Sequence, residues 1–380
     1  MTLYTEPTFA PPRVYVHDGA GVRLCELVDA AGKRSFRTMQ VSRAVFVIPE
    51  NDPQLPLCDP REGRLLVVES ALYPYTWAGQ IVSLEGGAQG TISVEARSYD
   101  GVLQERYLPT AFVGSGTSGQ QFAAMHAAVE RENPTGVSLS NDLAAGEPFD
   151  DTAYADRSLF DAWTLAASQT GHEWWLEHAV VNGRLTTQAQ FRPQRGQDHT
   201  QEATLVVGLH ANSRVNRWRM SSEGGSHRIR AVAGASSVTQ GFTERSRVER
   251  RQGKAPVSTA VLTQRANTRH GYTFAAWPQG DTPLTRGEQL AIMENIRSSG
   301  PLAIAAESIL ARGRTAQRMV DLEVQAHPEV WEYCTPGDVI SLVLPEPYFV
   351  DGYRGPAAIV DVEASEELGT MRLNLVVPAA

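Results

Sequence analysis

Two stretches of this 380-residue chain repeat one another at a fixed separation, which restricts the folds open to it. Cys58-Asp59-Pro60, the apolar run Leu65-Leu66-Val67-Val68 and Trp77-Ala78-Gly79 are answered by Cys334-Thr335-Pro336, Ser341-Leu342-Val343-Leu344 and Tyr353-Arg354-Gly355. The separation is 276 positions from Cys58 to Cys334, Pro60 to Pro336, Val67 to Val343, Trp77 to Tyr353 and Gly79 to Gly355. Three residues are then inserted, in what reads as a turn, and Gly90-Thr91-Ile92-Ser93-Val94 meets Gly369-Thr370-Met371-Arg372-Leu373. Matches that keep their order across one short gap point to a duplicated β-unit.

The local patterns agree with a β-rich first copy. Arg13–His17 and Val22–Val28 flank Asp18-Gly19-Ala20-Gly21 as a hairpin with a Gly-rich turn. A single long strand is expected from Phe36 to Ile48, stopped by Pro49. Further strands are expected at 64–69, 78–85 and 91–97, the last two joined through Gly86-Gly87. Short strands at this spacing, with no helices between them, indicate a barrel or sandwich rather than a parallel sheet.

The character changes at about residue 112. Phe122, Met125 and Val129 recur at helical spacing and predict a helix from Gln120 to Arg131, closed by Pro134. Ser158-Leu159-Phe160-Asp161 is a capping box for a second helix, ended by Gly171. Glu173–Glu177 and Leu185–Ala189 then form a hairpin through Asn182-Gly183, because a type I′ turn needs positive φ twice. Arg214–Met220 and His227–Ala233 read as another hairpin turning at Glu223-Gly224-Gly225. Residues 239–314 look inserted: they open on the basic run from Glu244 to Arg251 and carry two expected helices, one capped by Thr285-Arg286-Gly287-Glu288 and one between Pro301 and Gly313. Strands resume at Met319–Val324.

Charge and cysteine content narrow the function. With 34 basic and 43 acidic residues the formal charge is −9, against a general nucleic-acid binder, which shows a basic footprint. Cys25, Cys58 and Cys334 are odd in number, form no CxxC and suggest a reducing place of assembly. The first residues have neither a basic nor an apolar leader region, and no run reaches the ~18 apolar residues of a membrane helix, so a soluble, non-secreted protein without stable membrane association is expected.

Several motifs could carry chemistry. Gly114-Ser115-Gly116-Thr117-Ser118-Gly119 spells GxGxxG, with Glu130 and Glu132 near the distance of a ribose-binding acid. Both glutamates belong to the expected helix or its end, however, and a flexible Gly/Ser linker explains the stretch as well. His172 and His178 lack metal-ligand spacing, and His17, His126, His199, His210, His227, His270 and His327 are isolated. Asp151, Asp156, Asp161, Glu366 and Glu367 read as solvated turn acids with no apolar pocket to raise a pKa. Trp174 and Trp175 point to opposite faces of a strand, so at most one can stack on a sugar or base. The basic run around 245–254 lacks the interleaved aromatic residues of a nucleic-acid site. No catalytic, cofactor-binding or metal-binding residue is assigned, and no cofactor is expected.

The layout resembles the tail hub proteins of tailed bacteriophages, also called baseplate hub or tail tip proteins. The residues that carry the resemblance are Phe160 to Leu185, with Glu173-Trp174-Trp175 and Asn182-Gly183-Arg184-Leu185, and Asp321 through Tyr353, with Pro336-Gly337-Asp338. The resemblance implies an α+β, mainly β chain with two tail-tube-like β-barrel domains, at 1–110 and at 196–238 with 315–380. Two smaller mixed α/β domains, at 111–195 and 239–314, would sit peripherally. It further implies a non-enzymatic homotrimer whose six barrels cap the tail tube. Its partners would be the distal tail protein, the tape measure protein and a tail fibre or tip protein, with DNA only passing through the lumen. Its place would be the virion tail, assembled in the host cytoplasm. By the same resemblance, the C-terminal peptidase or cell-wall hydrolase of some long relatives is absent or supplied by another protein. The alternatives from other classes are a nucleotide-dependent enzyme using Gly114–Gly119 and a carbohydrate-binding adhesion module. If the duplication holds, Cys58 and Cys334 are equivalent buried thiols that do not bond to each other.

Overall fold

The computed structural model describes residues 11–206 apart from positions 71–72, 74, 88–89, 111, 150–151 and 155; the backbone of 213–223, 226–233 and 287–293; and residues 304, 305, 308, 317–326, 328–344, 353–365 and 369–378. The first part supplies β1 (Arg13–His17), β2 (Arg23–Leu27), β3 (Ala31–Arg37), β4 (Arg43–Pro49), β5 (Leu65–Glu69), β6 (Trp77–Gly86) and β7 (Thr91–Ser98). The short α1 (Asp100–Leu103) leads to β8 (Val113–Gly114), α2 (Ser118–Glu132), β9 (Val137–Leu139), β10 (Thr152–Ala153), α3 (Leu159–Thr170), β11 (Glu173–Val181) and β12 (Arg184–Arg192). Then come β13 (Thr204–Val206), β14 (Ser213–Glu223), β15 (Ser226–Ala233), β16 (Gly287–Met293), β17 (Gln317–Ala326), α4 (Pro328–Trp331), β18 (Val339–Leu344), β19 (Tyr353–Ser365) and β20 (Thr370–Pro378).

The duplication is visible as strand pairing. One 13-stranded sheet runs β14-β17-β20-β19-β3-β4-β7-β6-β5-β1-β2, with β18 on β19 and β13 on β18. Within it the path β5-β6-β7-β4-β3 has its counterpart in β18-β19-β20-β17-β14. Leu65–Gln80, Leu66–Gly79, Val67–Ala78 and Val68–Trp77 are partners in the first copy; Ser341–Pro356, Leu342–Gly355, Val343–Arg354 and Leu344–Tyr353 are partners in the second, each displaced by 276. The same displacement carries Ala44, Phe46 and Ile48 of β4 onto Val320, Leu322 and Val324 of β17, so the repeat begins upstream of Cys58. Each copy also has a β-bulge at the same place, leaving Val82 unpaired between Ile81 and Ser83 and Val360 between Ile359 and Asp361.

The extra residues of the second copy are not all in the turn. Gln80 corresponds to Pro356 but Ile81 to Ile359, so two of the three lie inside β19 and only one in the hairpin before Gly369. An insertion of two leaves every later side chain on its original face, whereas an insertion of one would reverse them. Trp77-Ala78-Gly79 recurs as Tyr353-Arg354-Gly355 because the aromatic ring folds over the glycine two residues on. A Cβ on Gly79 would lie 2.4 Å from the Trp77 ring and 2.3 Å from the Arg97 carbonyl oxygen, and a Cβ on Gly355 would lie 3.0 Å from the Tyr353 hydroxyl.

Burial follows the strand period. Val14, Val16, Leu66, Val68, Phe46, Val94, Leu322, Leu373 and Val362 lie in one continuous core that spans both copies. Tyr15, Leu65, Val67 and Ala78 point the other way, into a second core formed with Phe122, Met125, Trp163, Trp174 and Phe191. β5 is therefore buried on both faces, which accounts for its unbroken apolar run. In the second core Trp163 stacks on Phe122 at 4.0 Å and its indole N–H donates to the Phe122 carbonyl at 3.1 Å. Cys58 and Cys334 are both fully buried free thiols, each pushed up to about 12 by burial.

The sequence expectations meet the structure unevenly. The hairpin β1–β2, the capped α3 ending at Gly171 with φ +73, and the β11–β12 turn with φ of 52 at Asn182 and 75 at Gly183 form as expected. The single strand expected from Phe36 to Ile48 is instead the hairpin β3–β4; its turn, at Thr38–Ser42, uses Met39 at φ 53 and offers no Gly, Pro, Asn or Asp to signal it. Arg214–Met220 and His227–Ala233 do not pair with each other: β14 pairs with β17, and β15 pairs in parallel with β16. The helix expected from Thr285–Glu288 is β16, where sheet pairing overrides the local helix signal. Of the helix expected between Pro301 and Gly313, residues 304, 305 and 308 are described, as helical, and Ser308 donates to the Ser168 carbonyl at the end of α3. The basic run Glu244–Arg251 lies outside the described residues. The chain is mainly β with large sheets, and among the described residues no pairing closes either copy into a barrel.

The paired glycines give a direct test. Gly79→Ala must move backbone and should destabilise by about 1–3 kcal/mol. Gly355→Ala meets only the far end of the Tyr353 side chain, its hydroxyl and ring, and should cost under ~1 kcal/mol; thermal unfolding of the two variants side by side measures the difference.

Candidate functional site: the seam between the repeats

β19 has 13 residues where β6 has ten, and its outer edge serves two partners. Tyr353–Ala358 pair with β18 of the same copy. Asp361–Ala364 pair with β3 of the other copy, in the antiparallel register Asp361–Arg37, Val362–Phe36, Glu363–Ser35 and Ala364–Arg34. Among the described residues this ladder is what joins the two copies into one sheet.

Side chains on the two faces of the seam differ by the alternation of a strand. On the exposed face Lys33 Nζ lies 3.1 Å from Glu363 Oε1, with Arg37 opposite Asp361. Both partners of that ion pair are solvated, so its energetic weight is small, ~1 kcal/mol or less, and its use is to favour one register. On the buried face Phe36, Val362 and Ala364 enter the common core. Arg34 is fully buried there, its guanidinium 5.5 Å from the Phe36 ring and 5.8 Å from the Tyr73 ring. Tyr73 packs on Phe36 at 4.6 Å and donates its hydroxyl proton to the Cys334 carbonyl at 2.8 Å, so a loop of one copy is tied to a loop of the other. Burial raises the Tyr73 phenol well above its ordinary value, which keeps it a donor. Trp77 donates its indole N–H to the Ser35 carbonyl at 3.1 Å.

At one end of the seam a cavity of about 270 Å³ lies between β3, β6 and the β11–β12 hairpin, with Arg37, Tyr75, Asp100, Trp175, His178 and Arg195 on its walls. Burial raises Asp100 to about 6, opposed by the hydrogen bond from the Ser98 hydroxyl at 2.9 Å and by the charge of Arg195. Burial, and to a lesser degree the charge of Arg195, lower His178 to about 3; its ring Nδ1 is 3.0 Å from the Thr187 hydroxyl. The Arg195 guanidinium lies 5.8 Å from the Trp175 ring and the Arg195 amide donates to Glu173 at 2.8 Å. These groups fix the hairpin against the sheet. Among the described residues no cluster of three His, Cys, Asp or Glu side chains could bind a metal.

The residues singled out by sequence occupy other places. Gly114–Gly119 is not a linker: Gly114 belongs to β8, Thr117 caps α2 in a capping box with Gln120, and Ser118 and Gly119 are in its first turn. The amides of Ser118, Gly119, Gln120 and Gln121 donate to Glu147 O, Ala145 O, Thr117 Oγ1 and Thr117 O, so the helix start has no amide left for a phosphate. β8 pairs antiparallel with β10, not within the parallel unit that a dinucleotide site requires. Trp174 is fully buried among Phe160 and Trp163, and Trp175 is buried with its indole N–H bonded to Glu177, so neither offers an open ring face for a sugar. His17 and His172 are buried beside the Gly21 and Thr170 carbonyls, His126 lies near the Val137 carbonyl and Glu130, and His199 is near Asp338 and Tyr333. Asp161 bonds to its helix cap Ser158, Asp156 sits in a turn at φ 58, and Asp151, Glu366, Glu367, His210, His270 and His327 lie outside the described residues, as does the side chain of His227. Sequence reasoning missed Arg34, Tyr73, Asp100 and Arg195, which acquire their roles only through neighbours distant in the chain.

No family model matches this chain, and no curated protein sequence matches it. Solved structures do. The tail protein from Neisseria meningitidis superposes with a TM-score of 0.58 at 14% identity, covering 97% of each chain. The 43 kDa tail protein of prophage MuSo2 from Shewanella oneidensis gives 0.57 at 12% identity, over 96% of this chain and 98% of that one. Prophage tail protein gp18 from Listeria monocytogenes gives 0.54 at 11% identity, over 96% and 94%. The chain thus has the fold of phage tail proteins.

Asp100 provides a pH test. A carboxyl whose folded-state pKa lies above its unfolded value of 3.8 binds its proton more tightly when folded, so stability falls as pH rises from about 4 to about 6. Asp100→Asn removes this loss, on the order of 3 kcal/mol, and the difference in denaturant midpoint between wild type and variant should grow across that window.

Proposed function

We propose that this protein is a structural hub of a phage tail: a homotrimer that caps the host-proximal end of the tail tube. The observation that carries the proposal is the duplicated strand order, joined through one β-ladder in a chain with a tail-protein fold. Two like units per chain are what a threefold assembly needs to match a sixfold tube. In this reading residues 1–110 are the first tube-like barrel domain and 196–238 with 315–380 the second. Residues 111–195 and 239–314 are mixed α/β units at the periphery.

The mechanism is assembly and gating, not catalysis. The ring would nucleate the tube with the tape measure protein, bind the distal tail protein on its outer side and hold a fibre or tip. It would be built in the host cytoplasm and remain in the virion tail. A net charge of −9 suits a lumen through which DNA passes without adhering. The open polar face of β3, β4, β6 and β7 supports the same end, because three of its basic side chains meet carboxylates: Lys33–Glu363, Arg43–Glu95 and Arg97–Glu105.

The mass of the purified protein in solution tests the proposal. Three chains of 41.4 kDa should give a particle of about 124 kDa that appears ring-shaped in negative stain. A strict monomer at all concentrations would overturn it.

A further inference from the structure

The cavity between β3, β6 and the β11–β12 hairpin brings together two arginines without a counter-ion. On the open sheet face nearby, Lys33, Arg43 and Arg97 each meet a carboxylate. Arg37 and Arg195 line the cavity, and among the described residues neither has a carboxylate oxygen within 4.0 Å. An Arg195 Nη1 N–H points at the Arg37 carbonyl, but at 3.5 Å the bond is a weak one. Asp361, which stands opposite Arg37 in the ladder, accepts instead from the Asn374 amide at 3.3 Å. The acids on the cavity wall are engaged as well. Glu177 accepts from the Trp175 indole N–H at 3.0 Å and from Gln190 at 2.9 Å. Asp100 accepts from the Ser98 hydroxyl at 2.9 Å, and its burial outweighs the pull of Arg195 on its proton.

We propose that this cavity binds a small monocarboxylate, its carboxylate on the Arg195 guanidinium beside Arg37 and its apolar body against Tyr75. A guanidinium is a planar fork that meets a carboxylate with two parallel hydrogen bonds, so an arginine without a counter-ion selects this group. The fork is positioned before any ligand arrives: the Arg195 guanidinium lies 5.8 Å from the Trp175 ring, and the Arg195 amide donates to Glu173 at 2.8 Å.

Size and charge narrow the ligand further. The volume of about 270 Å³ falls just under the ~300 Å³ at which small-molecule sites begin, so it admits one ring or a short chain and no large cofactor. Tyr75 lines the cavity and is 40% exposed, which leaves aromatic surface for the body of the ligand. Asp100 and Glu177 on the same walls repel a second negative charge, which favours a monocarboxylate over a phosphate. The site is complete within one chain and is therefore independent of the hub reading.

Isothermal titration of the full-length protein with sodium benzoate, at fixed ionic strength, should show one site per chain. Benzamide, the same ring without the charge, should not bind. Arg195→Gln should weaken benzoate binding roughly tenfold or more, and Arg195→Lys should stay weak because it keeps the charge and loses the fork. Arg37→Gln, at an exposed position where the fold is not at risk, should weaken it roughly threefold. Asp100→Asn should tighten it by removing a competing negative charge. Thermal unfolding separates binding from folding: a purely structural Arg195 would lower the midpoint of the free protein and leave the rise produced by benzoate unchanged. An acetylated dipeptide Ala-Phe with a free C-terminus, set against its amide, distinguishes a carboxylate at a chain end from a free acid. Binding of benzoate or of that dipeptide supports the site and names its source. Binding of neither overturns it, as does equal binding of benzamide, tighter binding of inorganic phosphate, or affinity unchanged in both Arg195→Gln and Arg37→Gln.

Discussion

The ladder between β3 and β19 is the interaction on which the rest of the molecule depends. Two sheets that share a strand order could each stand alone with open edges, a condition that favours association with whatever strand is near. Here β19 is long enough to complete its own copy with one half and to accept the other copy with the rest. The buried face of that ladder merges two cores into one, through Phe36, Val362 and the Tyr73 hydroxyl bound to the Cys334 carbonyl. Removing the register of this one pairing would separate the copies and expose the residues that now lie between them.

The second constraint is that the first copy is covered on both sides. Tyr15, Leu65, Val67 and Ala78 face the helices and the β11–β12 hairpin, while their neighbours face the common core. The Trp163, Phe122, Trp174 and Phe191 rings fill that interface, and the indole N–H groups of the two tryptophans bond to Phe122 O and Thr164 Oγ1. Arg195 and the Asp100 carboxyl close the end of the same interface at the seam. The chain following Arg195 then lies along the second copy, where Gln197 donates to Asp338 and His199 to Val339 O before β13 joins β18.

Features with a local cause were legible. The hairpin at Asn182-Gly183 depends on two residues that accept positive φ, and α3 is bounded by Ser158 and Gly171 for equally local reasons. The turn at Met39 was not, since a residue forced into positive φ by the strands around it leaves no compositional mark. β14 and β15 were misread because neighbouring strands in sequence usually pair, whereas these take partners about a hundred and about sixty residues away, respectively. β16 was misread because its capping-box residues signal a helix that sheet pairing overrides. The candidate site was the least legible part. Arg34 sits in an ordinary exposed-looking Lys33-Arg34-Ser35 stretch, and only the approach of β19 buries it.

The sequence by itself determined the duplication, the bulk of the strand content and the buried thiols, because a repeated spacing of apolar, aromatic and glycine positions imposes the same local geometry wherever it occurs. What the tertiary structure decided was how the copies meet: that β3 pairs with β19, and that two of the three extra residues of the second copy lie in the strand and only one in the turn. Strand pairing between distant segments is chosen by which edges remain open once each sheet is formed, and that is a property of the assembled sheets that no single stretch of chain encodes.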